Sequence, residues 1–451
     1  MVTDVTVLIG AFALACYVDS PAGVTTDMGT CIWFLLAIIP AWFFLLSHFG
    51  FYSSLRTSST SRVLASLVKI HIVGSTGTLS VIYFMEPTVL SRGLVSEFLV
   101  FSFFLLSMEK LLLKMILGYF RRQGYNFRNI LIVGTGKRAT DFIRLLEHHA
   151  EWGQRIVGLL QLDDQPDNEA IAGYNVLGGM NNLVEISKNH TVDEVVFCMP
   201  PESIHQLEES FRDMREMGIT VRIVLDFDVT GDKWREGSHL PILTFYEALD
   251  ASQLFLKRCL DIVGALVGLS ITVLLFPWIA LAIKLESPGP LLFCQERVGM
   301  NGRIFTCWKF RSMYVDAESK KRELVHLNEM KGAIFKIKDD PRITRFGAFL
   351  RKTSLDELPQ FWNVLKGEMS LVGTRPPTPD EVEQYENWHR KRISIKPGMT
   401  GLWQANGRNR IQDFNEVVRF DIEYIDRWSI WLDIRLLFKT VWVVFSRQGA
   451  S

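Results

Sequence analysis

The sequence predicts a membrane protein of mixed α and α/β class, built from three parts in series. Three observations carry that prediction. Four apolar stretches crowd the first 120 residues. An apolar strand then runs into a glycine-rich turn and a helical pattern at 129–146. A further apolar run, 262–283, opens a basic C-terminal region. With 451 residues the chain has room for two or three domains. Its apolar content of 48% and positive mean hydropathy of 0.15 point to membrane segments. The expected boundaries are 1–120 for a bundle of four transmembrane helices and 121–250 for a cytoplasmic doubly wound domain. A small α/β domain at 251–451 follows, with a re-entrant membrane helix at 257–285 and an interfacial C-terminal helix.

The four stretches are Val5–Tyr17, Gly29–Phe51, Leu64–Met85 and Leu94–Leu117, and the last three are long enough to span a bilayer. The first has neither a basic start nor a small-residue cleavage site, which argues against a signal peptide. Arg56 and Arg62 lie in the loop between the second and third stretches, and Lys110, Lys114, Arg121 and Arg122 close the fourth. Basic loops stay inside, so the N-terminus and everything after residue 120 are expected on the cytoplasmic side of the bacterial inner membrane. Single charges near helix ends, Lys69 and Glu109, read as snorkelling.

Charge is uneven although the net formal charge is zero. Residues 121–253 carry 13 basic and 21 acidic residues, and residues 254–451 carry 30 and 22. A basic C-terminal part suits anionic lipid surfaces and phosphate-rich substrates. No nucleic-acid-binding motif accompanies it. Six cysteines, none in a CxxC pair or at metal-ligand spacing, read as reduced thiols.

In the middle part, Asn129–Val133 is a buried-strand pattern followed by GTGKRA at 134–139 and a helix through Leu146. Further strands are expected at Ile156–Leu162, Glu194–Cys198 and Val221–Leu225, giving a Rossmann-like parallel sheet. Gly134 and Gly136, after a strand and before a helix, could receive a diphosphate, with Asp163 as a ribose-binding acid. A lone fingerprint is a weak signal, and the alternative is a tight strand-to-helix turn in a domain that regulates or dimerises.

The run Ile262–Ile283 has the length of a transmembrane helix and contains Pro277. Crossing would carry the most basic region of the chain outside, against the charge rule. Pro277 allows a kink, so a helix–break–helix that enters and leaves by the same leaflet is expected. Lys257, Arg258 and Lys284 would then share one headgroup level. Trp428–Phe445, amphipathic with three tryptophans, suits a helix lying in the interface, or else a buried helix of its domain.

Chemistry concentrates at RKTSLDELPQ, 351–360, where Asp356 and Glu357 are adjacent. Two neighbouring carboxylates repel, and holding them together is useful where a divalent cation or phosphoryl group is bound. Cationic segments accompany them: KFRSM at 309–313, SLVGTRPP at 370–377 and KPGMTGLWQ at 396–404. Together with KRCLD at 257–261 and ESPGPLLFCQERVG at 286–299, these motifs resemble, in order, those of the bacterial sugar transferases. That family comprises the polyprenyl-phosphate hexose-1-phosphate transferases, monotopic phosphoglycosyl transferases. The resemblance covers about 200 residues, with one departure: Thr374 stands where the family carries proline before Arg-Pro.

The resemblance implies transfer of a hexose 1-phosphate, glucose or galactose favoured, from a UDP-sugar to undecaprenyl phosphate, starting exopolysaccharide, capsule or O-antigen synthesis. Asp356 would be the nucleophile, giving an aspartyl-phosphosugar intermediate, and Glu357 with Asp356 would bind Mg²⁺. Arg351 is the candidate clamp on a phosphate oxygen. Lys309, Arg311, Arg375, Pro376 and Lys396 are candidate substrate contacts. Lys257, Arg258, Asp261 and Pro277 are expected to be structural. Expected partners are the two substrates, inner-membrane phospholipids and a second copy of the chain, with no nucleic acid. Two rivals stand beside this reading. A membrane-bound nucleotide-sugar dehydratase would need a Tyr-x-x-x-Lys pair, but Tyr385 is followed four residues on by His389. A non-catalytic scaffold for polysaccharide assembly would need no acidic nucleophile.

Overall fold

The computed structural model describes residues 2–19, 28–52, 56, 58–84, 91–162, 169–198, 207–224, 242–245, 251–321, 332, 337, 340–407, 411 and 413–446. Its first layer is helical: α1 (Val2–Asp19), α2 (Met28–His48), α3 (Thr60–Phe84) and α4 (Arg92–Arg122). Leu8, Phe12, Trp42 and Phe98 form its apolar centre, and Gly74 of α3 leaves room for the Trp42 ring. By length and composition, three described helical segments could cross a membrane: Cys31–His48, Thr60–Ser80 and Gln253–Glu286. The first and fourth expected spans are not among them. Along α4 the charges Glu97, Glu109, Lys110 and Lys114 interrupt the apolar run. Nor does Glu109 snorkel: it is mostly buried and pairs at 3.1 Å with Lys110, which also pairs with buried Asp4 of α1. Buried charges persist only when paired, and these pair across the helices.

The α2–α3 connection and the middle domain lie on the same side of this layer. Arg56 donates to the carbonyls of Asn126 (3.0 Å) and Gly153 (3.3 Å), and Lys114 donates to that of Ser58 at 2.7 Å. The middle domain follows as β1 (Arg128–Val133), α5 (Lys137–His148), β2 (Gln154–Gln161), β3 (Ala170–Ile171), β4 (Tyr174–Gly179) and α6 (Leu183–Asn189). It continues as β5 (Glu194–Phe197), α7 (Glu208–Glu216), β6 (Thr220–Val224) and β7 (Ile242–Phe245). The strand order is β3-β4-β2-β1-β5-β6-β7, parallel from β4 to β6 with antiparallel edges. β1 is central and the chain winds outward to both sides of it, so the β1–β5 boundary is the switch point where doubly wound folds bind ligands. The four expected strands all form. Each lies within two residues of its expected bounds.

The long helix α8 (Ala251–Glu286) runs without interruption through Pro277, about 54 Å at 1.5 Å per residue. The expected break is absent. A proline removes one helical hydrogen bond, and the nine residues after it continue the helix. The α8 helix is gripped along its length by the last domain. Arg258 donates to the carbonyls of Val364 and Leu365, each at 2.7 Å, and Asp261 accepts from Ser370 Oγ (2.8 Å) and the Leu371 amide (2.9 Å). Gly264 and Gly268 admit Leu371 and Phe361 where a Cβ would collide. Farther along, Ile279 and Ile283 pack with Phe310 and Leu350, and Glu286 accepts the Phe346 amide at 3.0 Å. The opposite face exposes Val263, Val267, Leu274 and Trp278.

The last domain comprises the hairpin β8 (Leu292–Val298) and β9 (Ile304–Phe310), then α9 (Ala317–Lys321), α10 (Arg345–Lys352) and α11 (Gln360–Lys366). Next come β10 (Ser370–Val372), α12 (Pro379–Glu383), β11 (Gly398–Thr400, parallel to β10), α13 (Leu402–Gly407), α14 (Phe414–Asp426) and α15 (Ile430–Ser446). On α15, Trp431, Phe438 and Trp442 are exposed on one face and Asp433 is fully buried on the other. Asp433 receives Lys257 Nζ (2.5 Å), the Tyr424 hydroxyl (2.7 Å) and Trp428 Nε1 (3.2 Å), joining the starts of α8 and α15. Asp433→Ala leaves Lys257 and Tyr424 buried without their partner. It should cost about 3 kcal/mol or more, read as a lower unfolding midpoint in detergent.

Candidate active site

Asp356 and Glu357 are held by their neighbours in sequence. Helix α10 starts at Thr344, whose hydroxyl accepts the Gly347 amide at 2.9 Å, and carries Arg351 in its last turn. Ser354 then takes a left-handed φ of +55°, a strained conformation for a non-glycine residue, and turns the chain into a 3₁₀ helix, Leu355–Glu357. Leu355 and Leu358 pack against the apolar cluster that Ile279 and Ile283 of α8 form with Phe310 and Leu350. The dyad is thereby seated at the flank of the apolar helix. Asp356 is 7% exposed.

Lys309 at the end of β9 donates to Glu357 Oε1 at 2.9 Å. Arg351 is held by its Nε on Ser312 Oγ at 2.9 Å. Burial pulls the Arg351 guanidinium below its usual range, and Asp356, then Asp340, are the counter-charges that oppose this. On the hairpin, Phe293 pairs with Lys309, Gln295 with Cys307 and Arg297 with Phe305. These six residues share one face. That face reaches from the dyad to the Thr374–Pro376 turn, because Arg297 donates to the Pro376 carbonyl (2.9 Å) and to Gln295 Oε1 (2.6 Å). Burial and the like charge of Arg375 both lower the Arg297 guanidinium, with Glu381 and Glu357 opposing. Arg375 itself lies 3.6 Å from Glu381. Asp356, Glu357, Arg351, Lys309 and Arg375 thus gather around the hairpin, with Arg297 among them. Arg297 stood within a quoted motif, and its alternation with Gln295 along a strand was the available signal.

Two expected substrate contacts are corrected. Arg311 is buried, and its guanidinium donates to the carbonyls of Ser287 (2.6 Å) and Pro288 (3.0 Å) and to Ser287 Oγ (2.9 Å). It fastens the end of α8. Lys396 lies beside Gly367 and Arg258 at the other end of α8, where burial and then Arg258 lower its ammonium. From Arg258 to Thr272, which donates to the Leu358 carbonyl, is fourteen residues of helix or about 21 Å. The hydroxyl of Thr374 donates to the Arg392 carbonyl at 2.7 Å, so a hydrogen bond stiffens the turn where the family has proline. Arg392 is buried against Asp421 (2.7 Å) and the Tyr385 hydroxyl (2.8 Å).

At the middle domain's switch point, Gly134 has φ +115° and a Cβ there would come within 2.6 Å of the Cys198 carbonyl, a structural reason for that glycine. Gly136 is the N-cap of α5, with no side-chain cap on the helix amides. Asp163 lies outside the described residues.

Residues 252–447 match the family described as bacterial sugar transferase, and residues 47–224 match one described as CoA-binding domain. The chain is 33% identical over 344 residues to the UDP-glucose:undecaprenyl-phosphate glucose-1-phosphate transferase of Escherichia coli, covering 74% of this chain and 71% of that protein. The chain belongs to the bacterial sugar transferase family. It is also 47% identical to the galactosyl transferase CpsE of Streptococcus agalactiae, over 58% of this chain and 60% of that one. It is 45% identical to the undecaprenyl-phosphate galactose phosphotransferase of Salmonella typhimurium, over 44% of this chain and 42% of that one. Among the described residues no group of three or more His, Cys, Asp or Glu gathers as a metal cage. The donor set of this bacterial sugar transferase fits Mg²⁺ nonetheless. Mg²⁺ keeps several waters and binds through one or two carboxylates plus substrate phosphates, and the dyad supplies two hard oxygen donors. Thr374→Val should cost about 1–2 kcal/mol through the lost bond and the orphaned carbonyl, while Thr374→Ser keeps it. Unfolding midpoints of the two variants check this.

Proposed function

We propose that this protein transfers hexose 1-phosphate, glucose or galactose 1-phosphate in the first place, from a UDP-sugar to undecaprenyl phosphate and so starts a surface polysaccharide. The observation that carries the reading is the buried Asp356, beside Glu357 and faced by Lys309 and Arg351, at the flank of an apolar helix. The names of the relatives support the substrates.

Transfer breaks the P–O bond between the two phosphates of the donor. A carboxylate oxygen of Asp356 attacks the β-phosphorus, and UMP departs with the bonding electron pair, leaving an aspartyl phosphosugar. An oxygen of undecaprenyl phosphate then attacks the same phosphorus, and the Asp356–phosphorus bond breaks to restore the carboxylate. Arg351 neutralises the phosphoryl oxygens during both steps, and Arg375, braced through Pro376 by Arg297, takes the phosphate of the departing nucleotide. Lys309 orients Glu357. Glu357 with Asp356 would hold Mg²⁺, which when bound offsets the diphosphate charge. Gly136 at the start of α5 would seat a nucleotide diphosphate in the middle domain.

The catalytic domain lies on the cytoplasmic face of the inner membrane, with the unbroken α8 held along one leaflet rather than crossing it. What supports this is the grip of a single domain on both ends of a helix about 54 Å long, against a hydrocarbon core of about 30 Å. The exposed tryptophans of α15 would lie in the same interface. A variant keeping only the exposed Cys294 should stay unlabelled by an impermeant maleimide in intact cells and label after permeabilisation. Labelling in intact cells would overturn the orientation.

The enzymatic test uses protein in nanodiscs with Mg²⁺, undecaprenyl phosphate and UDP-glucose, UDP-galactose or an N-acetylated UDP-sugar, with UMP release as readout. One donor should release UMP and EDTA should stop it. Asp356→Asn should lower the rate by about three orders of magnitude or more, and Arg351→Lys by about ten- to a hundred-fold. Release unchanged in Asp356→Asn would overturn Asp356 as the nucleophile, and no release with any donor would return a scaffold role to the front.

A further inference from the structure

The hairpin that carries Arg297 and Lys309 reaches out of its own domain and ends on the middle domain. Its tip is a tight turn in which Asn301 has φ +55° and Gly302 φ +86°. Just after it, the Arg303 guanidinium meets Asp193 in a two-pronged contact, Nη1 to Oδ1 at 2.7 Å and Nη2 to Oδ2 at 2.6 Å. Asn301 Nδ2 adds 2.6 Å to Oδ1, and the Asn129 amide donates to Oδ2 at 2.7 Å. Asp193 is 7% exposed and stands immediately before β5, beside the start of β1. Planar bidentate pairs fix orientation as well as proximity. Around this pair the two domains fit closely: Arg390 donates to the Lys188 carbonyl at 3.0 Å, and a Cβ on Gly218 would come 2.6 Å from that of Ser394.

A two-stranded ribbon is marginal by itself and depends on what holds its faces and its tip. Here one face holds Lys309 on Glu357 and Arg297 on Pro376. Six residues of extended chain, about 20 Å, separate Arg303 from Lys309. We propose that Asp193, in the middle domain, is a positioning residue for the transferase site: through Arg303 it holds the hairpin so that Arg297 and Lys309 face the donor. This assigns the middle domain a part in donor binding, and it rests on the transferase reading above.

The test uses the full chain in nanodiscs carrying Asp193→Asn, Arg303→Gln or both. Each single change should raise the donor KM by about ten-fold and leave the KM for undecaprenyl phosphate unchanged. The double variant should match either single one, since both act through one contact. A general loss of folded protein would lower the maximal rate and leave both KM values alone. Unchanged donor KM in both single variants, or effects that multiply in the double, overturns the proposal. Hydrogen exchange provides a readout independent of turnover. Amides of 292–310 should exchange faster in either single variant and as in the wild type elsewhere. If the unmodified chain releases no UMP with any donor, the transferase reading fails, and exchange decides the tie alone. Unchanged exchange at 292–310 then overturns the tie as well.

Discussion

The grip of one small domain on the whole length of α8 is the constraint on which the rest depends. An apolar helix of 36 residues would be free to cross a bilayer if only one end were anchored. Here Lys257, Arg258 and Asp261 fasten its start, glycines admit Leu371 and Phe361 along its middle, and Arg311 with Glu286 secures its end. Burial of Leu355 and Leu358 on the same helix sets the position of Asp356. The carboxylate dyad is therefore located by hydrophobic packing, which is non-directional, and oriented by a short strained turn, which is not.

The hairpin β8–β9 is the second organising element. It lends cations to two separate loops: Lys309 to the one holding Glu357 and Arg297 to the one holding Arg375 and Pro376. Arg297 and Arg375 lie close enough to disfavour each other. Two guanidiniums held near one another are suited to a polyanion such as a diphosphate. Thr374 shows how the neighbouring turn keeps its shape without the family's proline, by exchanging a ring constraint for a hydrogen bond to Arg392.

Adjacent features were legible in the sequence. Asp356 and Glu357 are neighbours, Arg351 lies five residues away on the preceding helix, and the strand preceding Gly134 follows from a run of β-branched and aliphatic residues. Directions of long side chains were not legible. Lys309 and Arg311 look equivalent as KFR, yet one reaches Glu357 and the other turns to the carbonyls of 287 and 288. Lys396, rich in promise beside a Pro-Gly turn, stands at the far end of α8. Glu109 and Lys110 read as helix-end charges until Asp4 of another helix meets Lys110, which also pairs with Glu109.

By itself the sequence determined the class of the chain, the parallel sheet and the adjacent carboxylates Asp356 and Glu357. Each of these depends on local pattern or on residues adjacent in the chain. Only the tertiary structure decided that α8 passes unbroken through Pro277, that Arg311 fastens the end of α8, that Lys396 sits beside Arg258, and that Arg297 and Asp193 hold the hairpin. The contacts of Arg311, Arg297 and Asp193 depend on which segments meet at separations from 24 to 110 residues. Such meetings are set by packing and by the pairing of buried charges, neither of which is written in any local stretch of sequence.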